Sequence, residues 1–323
     1  MRFALIGLGS GGRALAQALR ETGQELVAVA DASPARAEAA ARELGVPSFE
    51  ASPEHGAERC GCDAVAVALP LAERFAAIRT ALRAGCHVLV DGLPAAAPEQ
   101  VLELEALASH AGRVLVTGPR SLHSASARRL RELARDSDAG PALGMRAWRA
   151  RQRAARRVRD LLEVVALPDL VLFALIAGSE PSGVSARAER SALTGQIDSL
   201  SLSLWYPNGW PARLEIGGSE SDARGVAVLC EQRRMLLDDE QPGKRVLWIE
   251  DQQWAPAAAS PRGAGARREV SFSDSTLALC RSFASIAAGG RRPETPCLAS
   301  ALRVIRAAER QIEAQAEATS AAA

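Results

Sequence analysis

Lysine is nearly missing from this chain. Among 323 residues there is one, Lys244, although Lys and Arg together number 39. Almost every permanent cation is therefore an arginine, and a guanidinium does not release its proton near neutral pH. Chemistry that needs a lysine proton has a single candidate. Tyrosine is as scarce, with only Tyr206, and aromatic residues make up 4% of the chain. The stretch Trp205-Tyr206-Pro207-Asn208-Gly209-Trp210 reads as a hairpin end that packs or forms an interface, not as a catalytic group. An excess of charge is missing too. The formal net charge is +1, so no global field favours nucleic acid or a membrane surface.

Long apolar runs are absent. "DLVLFALIAG" (169–178) is among the longest, and it is too short to span a bilayer. The opening "MRFALIGLGSGG" follows its apolar run with glycines rather than a cleavage site. It reads as a first strand and not as a signal peptide. Cysteines stand at 60, 62, 86, 230, 280 and 297. Cys60 and Cys62 form a CxC, with no second pair at zinc spacing. Free thiols in a cytoplasmic protein without a metal site are the expectation.

What is present is an ordinary globular composition, 48% hydrophobic and 24% charged, in a chain long enough for two domains. "RFALIG" (2–7) has strand length, and Gly7, Gly9 and Gly12 after it match G-x-G-x-x-G ahead of a helical pattern. In such a motif the first glycine allows the turn, the second lets backbone approach a pyrophosphate, and the third lets helix pack on strand. Ser10 and Gly11 complete the loop, and the helix start offers N–H groups to phosphate. A second apolar run, "ELVAVAD", ends in Asp31, placed to accept ribose hydroxyls and so to favour NAD. Arg36 could meet a 2′-phosphate, which keeps NADP open.

Strand and helix patterns then alternate through "DAVAVAL" (63–69), 72–85, "HVLVD" (87–91), 97–112 and "RVLVTG" (113–118). This predicts an α/β fold with a doubly wound parallel sheet. From about residue 140 the rhythm changes. "GMRAWRARQR" has period-two character, a helical stretch covers 159–177, and six strand-like runs follow between 182 and 251. Two C-terminal helices come next, with Ser273 or Asp274 as cap of the first. The low-complexity 256–268 reads as a loop and the last residues as a frayed end. The expected division is a dinucleotide-binding Rossmann domain over 1–120 and an α+β domain with a mostly antiparallel open-faced sheet over 121–323. Helices 272–318 are assigned to the second.

Together "GLGSGG", "ADASPARAEAAARELGVP", "CDAVAVALP", "ALRAGCHVLVDGLP", "LIAGSEPSGVSA" and "FASIAAGGRRPETPCLASALRVIRAAE" resemble the Gfo/Idh/MocA oxidoreductases over almost the whole chain. The resemblance implies NAD or NADP as cofactor, with hydride transfer at a hydroxyl, carbonyl or imine carbon of a small molecule. It also implies homo-oligomers through the second sheet. It maps the cofactor loop onto Gly7, Gly9 and Gly12, the ribose acid onto Asp31, and further cofactor contacts onto Leu69, Pro70 and Asp91.

The catalytic pattern departs from type. The family's lysine falls on Gly92, its Asn after "TP" falls on Leu71, and its His falls on Pro168. Asp91, Asp169 and His123 remain as candidate proton donors, and Arg120 as a candidate for an anionic substrate group. Gly92 either makes the turn before Pro94 or leaves room beside the nicotinamide for a flat substrate. The arginines of 146–159 read as a solvated face, with anion binding as the alternative. The expected activity is an NAD(P)-dependent oxidoreductase of atypical mechanism acting on an activated carbonyl, imine or conjugated substrate. The alternative is a non-catalytic dinucleotide-binding protein.

Overall fold

The structure is a computed structural model. It describes residues 1–46, 48–50, 61–151, 157–191, 196–218, 223–241, 244–251, 267–272, 274–290 and 298–321. The chain forms two compact units, Met1–His123 with Asp274–Ala299, and Ser124–Ser273 with Ser300–Ala323.

In the first unit, β1 (Arg2–Ile6), β2 (Glu25–Ala30), β3 (Ser48–Glu50), β4 (Ala64–Val67), β5 (His87–Val90) and β6 (Leu115–Val116) form one sheet. Its order is β3-β2-β1-β4-β5-β6, and every pairing is parallel. Helices α1 (Ser10–Glu21), α2 (Pro34–Leu44), α3 (Leu71–Arg83) and α4 (Pro98–His110) make the crossovers. The strands are apolar without alternation because helices bury both faces: Ala64, Val65 and Ala66 are wholly buried, as are Val88, Leu89 and Val90. Local chemistry sets the helix ends. Ser33 caps α2 ahead of Pro34 at its first turn, and Gly45 ends it in the left-handed region at φ 60°. The strand order reverses between β1 and β4, which opens a crevice at their carboxyl ends.

In the second unit the strands are β7 (Ala142–Arg151), β8 (Gly183–Arg190), β9 (Ile197–Trp205), β10 (Pro211–Gly218), β11 (Ala223–Cys230), β12 (Arg233–Gln241), β13 (Lys244–Asp251) and β14 (Arg267–Phe272). They pair in the order β14-β13-β12-β11-β7-β10-β9-β8, antiparallel except β7 with β10. Alternation now decides the faces. Met145, Ala147, Leu202, Leu204, Leu214, Val226 and Val228 turn to the buried side. Helix α5 (Ala125–Ala134) covers the β12–β14 end, and α6 (Leu167–Ala177) packs against β7 and α5.

A π-helical segment, Leu161–Ala166, leads into α6. Pro168, in the first turn of α6, lacks an N–H and its ring crowds the carbonyl four residues back, at Val164. Widening the preceding turn relieves that crowding, and Val164 is left 71% exposed.

Three expectations need correction. First, α7 (Ser275–Ala287) packs in the first unit rather than the second. Its Leu279, Cys280 and Phe283 are wholly buried in one core with Phe3, Leu5 and Leu19, and the rings of Phe3 and Phe283 lie 5.5 Å apart. Second, Arg267 and Arg268, placed in a loop by composition, begin strand β14; residues 252–266 lie outside the described ones. Third, α8 (Leu298–Ala321) continues as helix through most of the tail expected to fray. Asp274 caps α7 by accepting from the Thr276 and Leu277 amides, while Ser273 lies outside the described residues.

Candidate functional site

The site is built at the carboxyl edge of the parallel sheet. β1 ends between its neighbours: the Gly7 N–H donates to Ala30 O at 2.8 Å, and the Ala68 N–H donates to Ile6 O at 2.7 Å. Gly7 stands at φ 93°, and a Cβ there would lie 2.6 Å from Ala68 O. A Cβ on Gly12 would lie 2.0 Å from Gly7 O. The fold itself therefore demands those two glycines. Gly9 and Gly11 differ, because a Cβ at either meets nothing within 4 Å. Gly9 precedes α1, whose first turn has no side-chain cap from Gly9 and no acidic residue. Bare backbone and unclaimed N–H groups of this kind fit the pyrophosphate of a dinucleotide. Ser10 and Gly11 are exposed in this first turn.

Asp31 follows β2 and is 4% exposed. Its carboxylate accepts from the Leu8 amide at 3.0 Å, the Ser33 amide at 2.9 Å and Arg36 Nη2 at 2.6 Å. Burial alone would push its pKa up; the Arg36 hydrogen bond, with the two amides, outweighs burial and holds it below the usual carboxylate range. The acid thus braces the glycine loop through Leu8. Arg36, expected as a route to NADP, is paired with this same acid.

Along the edge, Leu69 is buried and Pro70 exposed before α3. After β5, Gly92 stands at φ 96° and exchanges two backbone hydrogen bonds with Gly118, at 3.0 and 2.9 Å. Positive φ and this two-way bridge explain the glycine as a turn former. Nor is the space beside it open, since Arg74 Nη1 lies 3.4 Å from where its Cβ would be. Arg74 donates to the carbonyls of Leu69 at 2.7 Å, Asp91 at 3.0 Å and Leu93 at 2.7 Å. The sequence reading missed this residue; its one signal was a charge in the first turn of a helix that starts at the sheet edge.

Asp91 and Arg120, read as separate candidates, come together. The Arg120 amide donates to Asp91 Oδ1 at 3.1 Å, and its Nη1 lies 3.5 Å from Oδ2. The same Nη1 donates to Thr276 Oγ1 at 3.2 Å. An anionic substrate group would have to compete with Asp91 for this guanidinium. His123 closes the 3₁₀ turn Arg120–His123 and is half-buried.

Asp169 belongs to the second unit and is wholly buried. Arg149 Nε donates to its Oδ2 at 2.5 Å, and Arg224 Nη2 lies 3.5 Å from Oδ1. The carboxylate lies between two guanidiniums and has no exposed surface. Asp169 thereby ties α6 to β7 and β11. The arginines around it likewise serve separate partners: Arg146 pairs with Glu215 and Arg159 with Glu309. Arg153 and Arg156 lie outside the described residues. Tyr206 is 2% exposed and stacks on Trp210 at 5.3 Å, a packing role. Among the described residues no cluster of His, Cys, Asp or Glu could hold a metal ion, and no helix is long and apolar enough to cross a membrane.

Comparison with known proteins agrees with this geometry. Residues 1–119 match the GFO_IDH_MocA family model, described as an oxidoreductase family with an NAD-binding Rossmann fold. A search of curated proteins gave no match. Solved structures match over nearly the whole chain. UDP-N-acetylglucosamine 3-dehydrogenase GnnA from Acidithiobacillus ferrooxidans is 25% identical, with a TM-score of 0.79, covering 97% of this chain and 98% of that one. Apo scyllo-inositol dehydrogenase from Lactobacillus casei is 17% identical, with a TM-score of 0.79 over 98% and 96%. GenD2 from gentamicin A biosynthesis, solved in complex with NAD, is 18% identical, with a TM-score of 0.77 over 96% and 93%. Residues 1–119 are thus similar to the NAD-binding Rossmann domain of the Gfo/Idh/MocA oxidoreductases, and the chain as a whole shares its fold with these solved dehydrogenases.

Proposed function

We propose that this protein is an NAD(P)-dependent oxidoreductase that reduces an activated carbonyl, imine or conjugated small molecule without a lysine acid. The observation that carries the reading is the turn after β5. Its central residue is Gly92, locked to Gly118, and the charged groups around it are Asp91, Arg74 and Arg120. Gly7 to Gly12 would hold the pyrophosphate and Asp31 the ribose, while Leu69 and Pro70 line the edge. When bound, the dinucleotide supplies the hydride. Asp91 and His123 are the groups left to move a proton. Losing a placed general acid costs roughly 10²–10⁴-fold in rate, which an already electrophilic acceptor tolerates best.

The test is titration with NADH and NADPH, followed by nicotinamide fluorescence, with Asp31→Ala alongside. Charge-assisted hydrogen bonds of this kind are worth about 10- to 100-fold in affinity. A loss of that size for NADH is the expected result; no binding to either cofactor would sink the reading. A substrate screen would then set imines and conjugated carbonyls against nucleotide sugars, the class that GnnA's name indicates.

A second reading, a dinucleotide-binding protein without catalysis, is favoured by the burial of Asp169. Turnover of any substrate in the screen decides between them. We place the protein in the cytoplasm, where buried thiols such as Cys230 and Cys280 stay reduced. Intact-mass measurement with and without reductant checks their state.

The outer face of the second sheet exposes Leu143 and Trp205 beside a groove of about 580 Å³. The Arg146–Glu215 pair on the same face offers both signs of charge. A second copy of the chain is the occupant that this self-complementary surface fits. Light scattering should give a dimer or larger species, and Trp205→Glu should shift it to monomer.

A further inference from the structure

Arg74 has no role in the sequence pattern, yet it is the most constrained cation at the sheet edge. Its guanidinium spans two successive turns, holding Leu69 after β4 and both Asp91 and Leu93 after β5. Those three partners are neutral carbonyls, so the hydrogen bonds fix the group without cancelling its charge. Asp91 carries the nearby negative charge, and Arg120 already pairs with it. Arg120 also faces Asp274, so Asp91 is shared between two guanidiniums and is, among the described residues, the one carboxylate acting on Arg74.

Gly92 matters to this placement. A Cβ there would meet Arg74 Nη1 at 3.4 Å, an ordinary contact, and the glycine is set by its positive φ of 96°, which shapes the turn whose carbonyls the guanidinium holds. An arginine keeps its proton at all working pH values. It therefore cannot replace a general acid. It can only position and polarise.

We propose that Arg74 is a positioning residue that clamps the turns after β4 and β5 and sets a permanent positive charge at the nicotinamide end of the dinucleotide, so that the protein binds the reduced cofactor in preference to the oxidised one. This rests on the dinucleotide reading above. The physical reason is simple. The oxidised nicotinamide ring is a cation and the reduced ring is neutral, so a fixed positive charge penalises only the former. No proton moves on Arg74, whose charge does not change with pH.

The experiment measures dissociation constants of NADH by fluorescence and of NAD by competition, for the wild type, Arg74→Gln, Arg74→Lys and Asp91→Asn. Thermal midpoints are recorded for each. In the wild type NADH binds more tightly. Arg74→Gln narrows the NAD-to-NADH ratio of dissociation constants by about three- to tenfold, the size of one screened charge interaction. Arg74→Lys weakens both cofactors, because an ammonium cannot make the three-carbonyl clamp, but keeps the ratio. Asp91→Asn removes the opposing charge and widens the ratio.

Equal weakening of both cofactors in Arg74→Gln, or a ratio unmoved by Asp91→Asn, overturns the proposal and leaves a purely structural clamp. If Arg74→Gln fails to fold, Arg74→Lys and Asp91→Asn still decide it through the ratio. If the wild type binds neither cofactor, the dinucleotide reading itself has failed, and that outcome is distinct from the others.

Discussion

Four glycines in one short loop carry two different obligations. Gly7 and Gly12 are squeezed by the protein's own backbone, whereas Gly9 and Gly11 face open space. Substitutions should separate these roles. Gly12→Ala must displace the Gly7 carbonyl, so it lowers the thermal midpoint and loses NADH binding together. Gly9→Ala has room and an ordinary backbone, with φ −70° and ψ −171°. Its stability should change by no more than about 0.5 kcal/mol. Its methyl group would still stand where backbone meets pyrophosphate, so NADH affinity should drop by at least about tenfold. Paired melting curves and titrations check both. A Gly9→Ala protein that binds NADH normally would remove the loop from the site.

At the scale of elements, the strongest local commitment is the ion cluster that ties α6 to β7 and β11. Asp169 is wholly buried, and Arg149 and Arg224 keep 12% and 21% of their side-chain surface. Asp169→Asn keeps the shape but removes the buried charge that Arg149 and Arg224 face, which costs about 3–5 kcal/mol. Urea unfolding followed by tryptophan fluorescence reads this directly, since Trp148 and Trp205 both lie in strands of this sheet. An unchanged midpoint would show that the ion cluster contributes nothing to holding α6 on the sheet. The same elements show what sequence can and cannot tell. The alternation in β7 and β9 fixed their buried faces, because one face of an antiparallel strand meets the core and the other meets solvent. The fate of Asp169 was not legible, since its partners lie 20 and 55 positions away. The π-helical turn was half-written in Pro168. Strand β14 was hidden because "RREVSF" owes its state to pairing with β13 rather than to its own composition.

Across the whole molecule, the chain leaves the first unit at His123 and returns to it at Asp274. That return explains why a boundary drawn from rhythm alone missed α7. Its apolar positions are those of any amphipathic helix, and only the complementary surface of Phe3, Leu5 and Leu19 says where they are buried. The consequence is that the stability of the cofactor unit depends on residues more than 250 positions beyond β1. Phe283 is wholly buried and its ring contacts that of Phe3. Phe283→Ala should cost about 3–5 kcal/mol, the transfer and cavity terms together. The loss should fall first on the parallel sheet. Amide hydrogen exchange is the measurement that assigns it. Protection in β1 and α1 should fall along with that in α7, while the strands β8, β9 and β10 keep theirs, because the two cores are built from different residues. NADH affinity should fall only once the first unit is appreciably unfolded. If exchange rises in β8 to β10 instead, α7 stabilises the second unit, and the division of the chain has to be redrawn.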